Sequence, residues 1–184
     1  MEAKILAQQV IKTILFIMLF VSLGVYSGIR NAEDDIFQDL KISEIKEEVQ
    51  VYRDDFGIPT IIAKNINDMA LAQGYEFARD RTFQLELFHA FINAKLSSIF
   101  GIDLLEADVM IQTLNFKGVG EKAKTKLDQF YLDIVGSYVR GINLYFEQHT
   151  FNLPWEFQVL GIEPSVWEIS DSLSMQAILA YYFN

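Results

Sequence analysis

The chain contains no cysteine. That removes a disulfide framework, a thiolate metal site and a cysteine nucleophile together, without fixing the compartment. Only two histidines occur, His89 and His149. Neither stands in an H-E-x-x-H or other metal-ligand spacing, and no carboxylate run has the pattern of a calcium loop. Three prolines and ten glycines among 184 residues are too few for a disordered or fibrous chain. No serine stands in a G-x-S-x-G elbow and no glycine-rich loop suits a phosphate. Positive charge is also scarce. The formal net charge is −10, and Lys4, Lys12 and Arg30 against Glu2 make residues 1–30 the basic part. An acidic remainder speaks against nucleic acid, whose phosphates call for a basic face.

What is present begins with an uncharged run of 17 residues, "TILFIMLFVSLGVYSGI", between Lys12 and Arg30. As a helix it would span about 25 Å, short for a bilayer crossing and long for a signal-peptide core. Lys4 and Lys12 precede it, and Glu33, Asp34 and Asp35 follow, so positive-inside bias places residues 31–184 outside the cytoplasm. Residues 1–30 are accordingly expected to be an uncleaved membrane anchor or a cleaved signal, the anchor being preferred. Residues 31–47 read as a polar tether, and residues 48–184 as the folded region.

Within that region, "VQVYRDD" alternates Val49, Val51 and Arg53 against Gln50 and Tyr52, and "IPTIIA" follows an Asp-x-Gly turn, which predicts a β-hairpin. Pro59 suits the start of the second strand. From Asn67 or Asp68, either a good N-cap, an apolar helix is predicted to run to Gly101. Further helices are predicted over Asp103–Leu114 and Glu121–Tyr145. An irregular connector, "HTFNLPWEFQVLGIEPSVW", leads to a last helix capped by Ser170 or Asp171. That helix reaches Asn184 without a terminating signal, which suggests an incomplete structural unit. The fold class is therefore mostly α with an N-terminal β-hairpin. His89 is expected to be a satisfied core or rim residue and His149 to be exposed. Arg79-Asp80-Arg81 stands out, because charges inside an apolar helix are costly unless paired.

The stretch "VYRDDFGIPTIIAKNINDMALAQGYEFARDRTFQLEL" resembles the N-terminal part of the penicillin acylase family of N-terminal-nucleophile amidohydrolases. The family pattern is roughly V-x-R-D-x-x-G-I-P-x-I-x-A, then an Asp opening a helix, then G-Y-x-x-A-x-D-R-x-x-Q-M-E. Here Arg53, Asp54, Gly57, Ile58, Pro59, Ala63, Asp68, Gly74, Tyr75, Ala78, Asp80, Arg81, Gln84 and Glu86 fill those positions. "AKLSSIFG", "YVRGINLYF" and "LPWEFQVLGIEPSVWEISDSL" are similar to later family motifs and occur in the same order, the last containing Trp167 and Asp171. Ala94 and Ser98 depart from the usual Gly and Glu.

The resemblance covers about residues 49–184 and implies the α-chain part of an αββα hydrolase, preceded here by the membrane anchor or signal helix. It implies a precursor that cleaves itself, after which the N-terminal Ser of a β chain attacks an amide carbonyl of a small N-acyl substrate. No catalytic residue is then expected in this chain and no cofactor is implied. The structural calcium of some members is held mostly through the β chain, and no metal ligands are identified here. Counting from Trp167 and Asp171 places candidate acyl-contacting positions at Ala180 and Asn184, four apart on one helix face. Arg53, Asp54, Gly57, Pro59, Gly74, Asp80, Arg81, Gln84, Trp167 and Asp171 form the structural signature. Asp80 and Arg81 are expected to pair where the helix meets the hairpin and the β-chain core, with Arg79 reaching solvent. The partners implied are the β chain, from the same precursor or a downstream gene, the N-acyl substrate, and a membrane through residues 13–29.

Overall fold

A computed structural model describes residues 42–183. The anchor or signal segment, most of the tether and Asn184 lie outside the described residues. Among those described, no helix is long and apolar enough to cross a membrane.

The chain enters through β1 (Gln50–Arg53) and β2 (Pro59–Ile62). They pair antiparallel, Gln50 opposite Ile62 and Arg53 opposite Pro59. Asp54 builds the turn: its Oδ1 accepts the N–H of Phe56 at 3.0 Å and of Ile58 at 2.8 Å. Gly57 supplies the left-handed residue, φ 78°, that an Asp-x-x-Gly turn needs. The hairpin and the place of Pro59 agree with the sequence reading.

Seven α-helices follow among the described residues: α1 (Ile66–Ile92), α2 (Leu96–Phe100), α3 (Leu105–Leu114), α4 (Phe116–Lys124), α5 (Gln129–Gln148), α6 (Trp155–Leu160) and α7 (Ile169–Tyr182). Several boundaries differ from those predicted, each for a local reason. Helix α1 starts two or three residues early because Asn65 is the N-cap, its side chain accepting the N–H of Asp68 at 2.9 Å. It stops at Ile92, and Ala94 adopts φ 51° where the family motif has Gly, so residues 96–100 form a separate helix. The stretch predicted as Glu121–Tyr145 is two helices, since residues 125–128 lie outside both α4 and α5. The connector holds a short helix, α6. Glu168 caps α7 in a reciprocal capping box with Asp171.

The core forms where α1 crosses α5. A Cβ added at Gly74 would lie 1.9 Å from the carbonyl oxygen of Tyr138, and one at Gly141 would lie 2.0 Å from that of Leu71. The two backbones therefore touch, and only glycine fits on either side. Around this crossing Leu71, Tyr75, Ala78, Leu85, Val139, Ile142, Tyr145 and Trp167 make one apolar cluster. Leu85 and Ile142 are essentially inaccessible. On α5 only residues from Val139 onward are buried. Phe130 and Tyr131 at the start of α5 are exposed. Helix α7 lies against α4, where a Cβ on Gly120 would meet Ser174 Oγ at 2.1 Å.

Candidate functional site

Of the Arg79-Asp80-Arg81 cluster, Asp80 belongs to a clamp between hairpin and helix. Arg53 ends β1, and its guanidinium reaches Asp80 at 2.9 Å, Glu76 in a very short contact, and the carbonyl oxygen of Gly57 at 2.6 Å. Glu76 and Asp80 are four apart on α1 and so share a face. Burial opposes the charge on Arg53, but its hydrogen bonds with Asp80 and Glu76 outweigh that and hold its pKa above the ordinary arginine value. Arg79 does not reach freely into solvent as expected. Its side chain is 16% exposed and lies 3.8 Å from Glu76. Arg81 is exposed and makes no hydrogen bond or ion pair with other described residues. It sits at the one non-helical position inside α1, with φ −132° and ψ 28°. Gln84 is likewise exposed.

Three further polar knots tie loops to helices. Asp68 is buried and its carboxylate accepts the N–H of Glu47 at 2.9 Å, the N–H of Lys46 at 3.2 Å and Asn65 Nδ2 at 2.6 Å. Burial alone would raise its pKa, yet the bonds from Asn65, Glu47 and Lys46 hold the carboxyl below the usual aspartate value. Glu86, also buried, accepts both the N–H and the hydroxyl of Ser165, at 2.7 and 2.9 Å. Asn143 on α5 pairs with the backbone of Trp167 in both directions, at 2.8 and 2.9 Å. These last two fix the segment that launches α7. Glu76 and Asn143 carry much of this architecture and were not singled out from sequence. The signal for Glu76 was its one-turn spacing from Asp80, which matters only once Arg53 is known to face that helix.

Of the two candidate acyl-contacting positions, Ala180 is exposed on α7 and Asn184 lies outside the described residues. An apolar groove of about 370 Å³ is lined by Gln84, Leu87, Phe88, Phe91, Leu96, Phe100 and Ile178. Ile178 and Ala180 are two residues apart, about 200° around the helix, so the groove and the candidate position occupy opposite faces of α7. His149 is half-buried and not exposed as expected, its ring stacked 4.1 Å from that of Tyr145. His89, 14% exposed, packs at the rim as expected. Among the described residues, no three His, Asp or Glu side chains are grouped to hold a metal ion.

The geometry describes a scaffold that orients a helix, and the comparisons agree on which scaffold. The structure matches a penicillin G acylase from Alcaligenes faecalis with a TM-score of 0.64 at 23% identity, covering 74% of each chain, a likeness of fold. In sequence the chain is 32% identical over 136 residues to penicillin acylase 2 proenzyme of Pseudomonas sp. strain SE83. It is 26% identical over 140 residues to the acyl-homoserine lactone acylase QuiP of Pseudomonas fluorescens Pf-5. Each alignment takes in 74% of this chain and 17% of the relative, so the chain spans about a sixth of the length of the curated relatives it matches. The family model for penicillin amidase matches residues 48–184, from the hairpin through α7, and the chain belongs to the penicillin amidase family.

Proposed function

We propose that this chain is the α-chain-like portion of an amidohydrolase that cleaves a linear amide, releasing the acyl group of a penicillin-like, N-acyl-homoserine lactone or related N-acyl substrate. The observation that carries the reading is the family match across residues 48–184. Relatives named for both penicillin and acyl-homoserine lactone support the breadth of the substrate class.

On this reading the nucleophile is the N-terminal Ser of a β chain, supplied by the same precursor or a downstream gene, and no catalytic residue lies in residues 1–184. An α-amino group titrates near 7.7–8.0, close enough to neutrality to serve as base for the hydroxyl beside it. This chain contributes shape. Helix α7 would present Ala180, with Asn184 following the helix in sequence, as one wall of the acyl site, and the bonds of Asn143 and Glu86 to residues 165–167 would hold the start of α7 still. The remaining proposals concern place. Residues 13–29 tie the protein to a membrane or direct its export, residues 31–184 lie outside the cytoplasm, and the acidic balance disfavours nucleic acid as a partner.

The test is co-expression with the β chain of a penicillin acylase relative, followed by hydrolysis assays on a panel of N-acyl amides. The assembled pair should turn over at least one, and residues 1–184 alone none. Turnover by the isolated chain would refute the placement of the nucleophile. A stable pair inactive on every substrate would favour a non-catalytic, membrane-anchored interaction protein that keeps the α-chain fold.

A further inference from the structure

Asp171 is buried at the start of α7, and its Oδ2 accepts the N–H of Glu168 at 2.8 Å. The same oxygen faces Nε2 of His89, on α1, at 3.9 Å. That distance is too long for a hydrogen bond and within reach of an ion pair. A neutral imidazole there contributes little, whereas an imidazolium places a full positive charge against a carboxylate that has almost no access to water. The attraction between the two helices at this point therefore depends on a proton.

We propose that His89 and Asp171 form a proton-operated latch between α1 and the N-terminus of α7, closed when the imidazole is charged and released when it is neutral. Three other charged groups stand near the pair. Glu168, the N-cap of α7, repels Asp171, and Lys117 on α4 attracts it, while its Nζ donates to Asn93 Oδ1 at 2.7 Å. Glu86, one turn back on α1, is engaged by Ser165. Burial raises the Asp171 carboxyl above the ordinary aspartate value, with the Glu168 N–H and His89 acting against it. The latch thus needs an ionised Asp171 and a charged imidazole at the same time. Imidazoles change charge between pH 5 and 8. Trp167, buried and with its ring centroid 6.0 Å from that of His89, is a built-in reporter. The latch concerns the seating of α7 and stands whether or not the chain belongs to an active hydrolase.

The experiment uses the full 184-residue chain carrying Trp155→Phe, which leaves Trp167 as the single indole. Its emission is followed from pH 8 to pH 5. A sigmoidal change is expected, because a charged imidazole beside an indole quenches it. His89→Gln should abolish the change and His149→Gln should leave it. Asp171→Asn should move the midpoint to lower pH, because the imidazolium loses its carboxylate partner. A flat titration, a transition that survives His89→Gln, or a midpoint unmoved by Asp171→Asn overturns the latch. Should Asp171→Asn fail to fold, hydrogen exchange decides. Corrected for intrinsic rates, amides at the start of α7 should be better protected at pH 6 than at pH 8 in the parent and equally protected in His89→Gln. Equal protection in the parent overturns it.

Discussion

At the residue scale, the Arg53 clamp shows why charges occur within an apolar helix. Glu76 is 7% exposed in its side chain, and a carboxylate so placed persists only with a partner. Arg53→Met should cost about 3 kcal/mol, the low end for breaking a buried ion pair, because Asp80 remains partly in water. Urea unfolding of the folded region measures this. Arg81→Met is the control: exposed and unpaired among the described residues, it should change stability by no more than about 0.5 kcal/mol. The two arginines look alike in the motif and differ only in what stands opposite. Asp68 makes a pH prediction. Its folded-state pKa is depressed, so its contribution is complete above the unfolded value of about 3.9 and is lost as pH falls through the folded value. The stability gap between the wild type and Asp68→Asn should hold from pH 7 to about 5 and close below about 4. A gap unchanged at pH 3 would mean that the carboxylate charge does not matter.

At the element scale, the crossing of α1 and α5 is the most constrained feature. Gly74→Ala would drive a methyl group into the Tyr138 carbonyl, and backbone cannot swing aside as a side chain can. The expected cost is at or above the upper end of about 1–3 kcal/mol for overpacking, read as a fall in the urea midpoint without a change in slope. Gly136, also on α5, has only a side-chain atom at 3.6 Å, so Gly136→Ala should be tolerated. A glycine inside a long helix reads in sequence only as a weak point, because its lack of a side chain says nothing about what approaches it. The existence of the hairpin, the long α1 and the last helix was legible from periodicity and turn residues. The breaks were not. Asn115, in left-handed geometry at φ 55° and ψ 44°, separates α3 from α4. Asp108 of α3 closes the N-terminus of α2 by accepting the N–H groups of Leu96 and Ser97, both at 2.8 Å. Such long-range caps override local propensity.

At the scale of the whole molecule, many large apolar side chains remain exposed, among them Phe56, Ile58, Phe130, Tyr131, Val159 and Val166. Scattered exposure is ordinary, but this amount on a chain matching a sixth of its relatives' length is what a partner polypeptide would relieve. If the proposed β chain exists, co-expression should raise the yield of soluble protein and lower the binding of a hydrophobic dye relative to residues 42–184 alone. Unchanged dye binding in a stable pair would place the partner elsewhere.

The sequence by itself determined the family, the hairpin, the long α1 and the existence of the last helix. Those follow from short-range spacing and from motifs that survive in order along the chain. Only the tertiary structure decided which charges are paired, that Gly74 and Gly141 are points of backbone contact, that Arg81 faces water, and that His89 meets Asp171 across 82 positions of sequence. Pairing, burial and protonation depend on what lies across a contact, and residues distant in the chain become neighbours only when the core around Leu85 and Ile142 brings α1, α5 and α7 together.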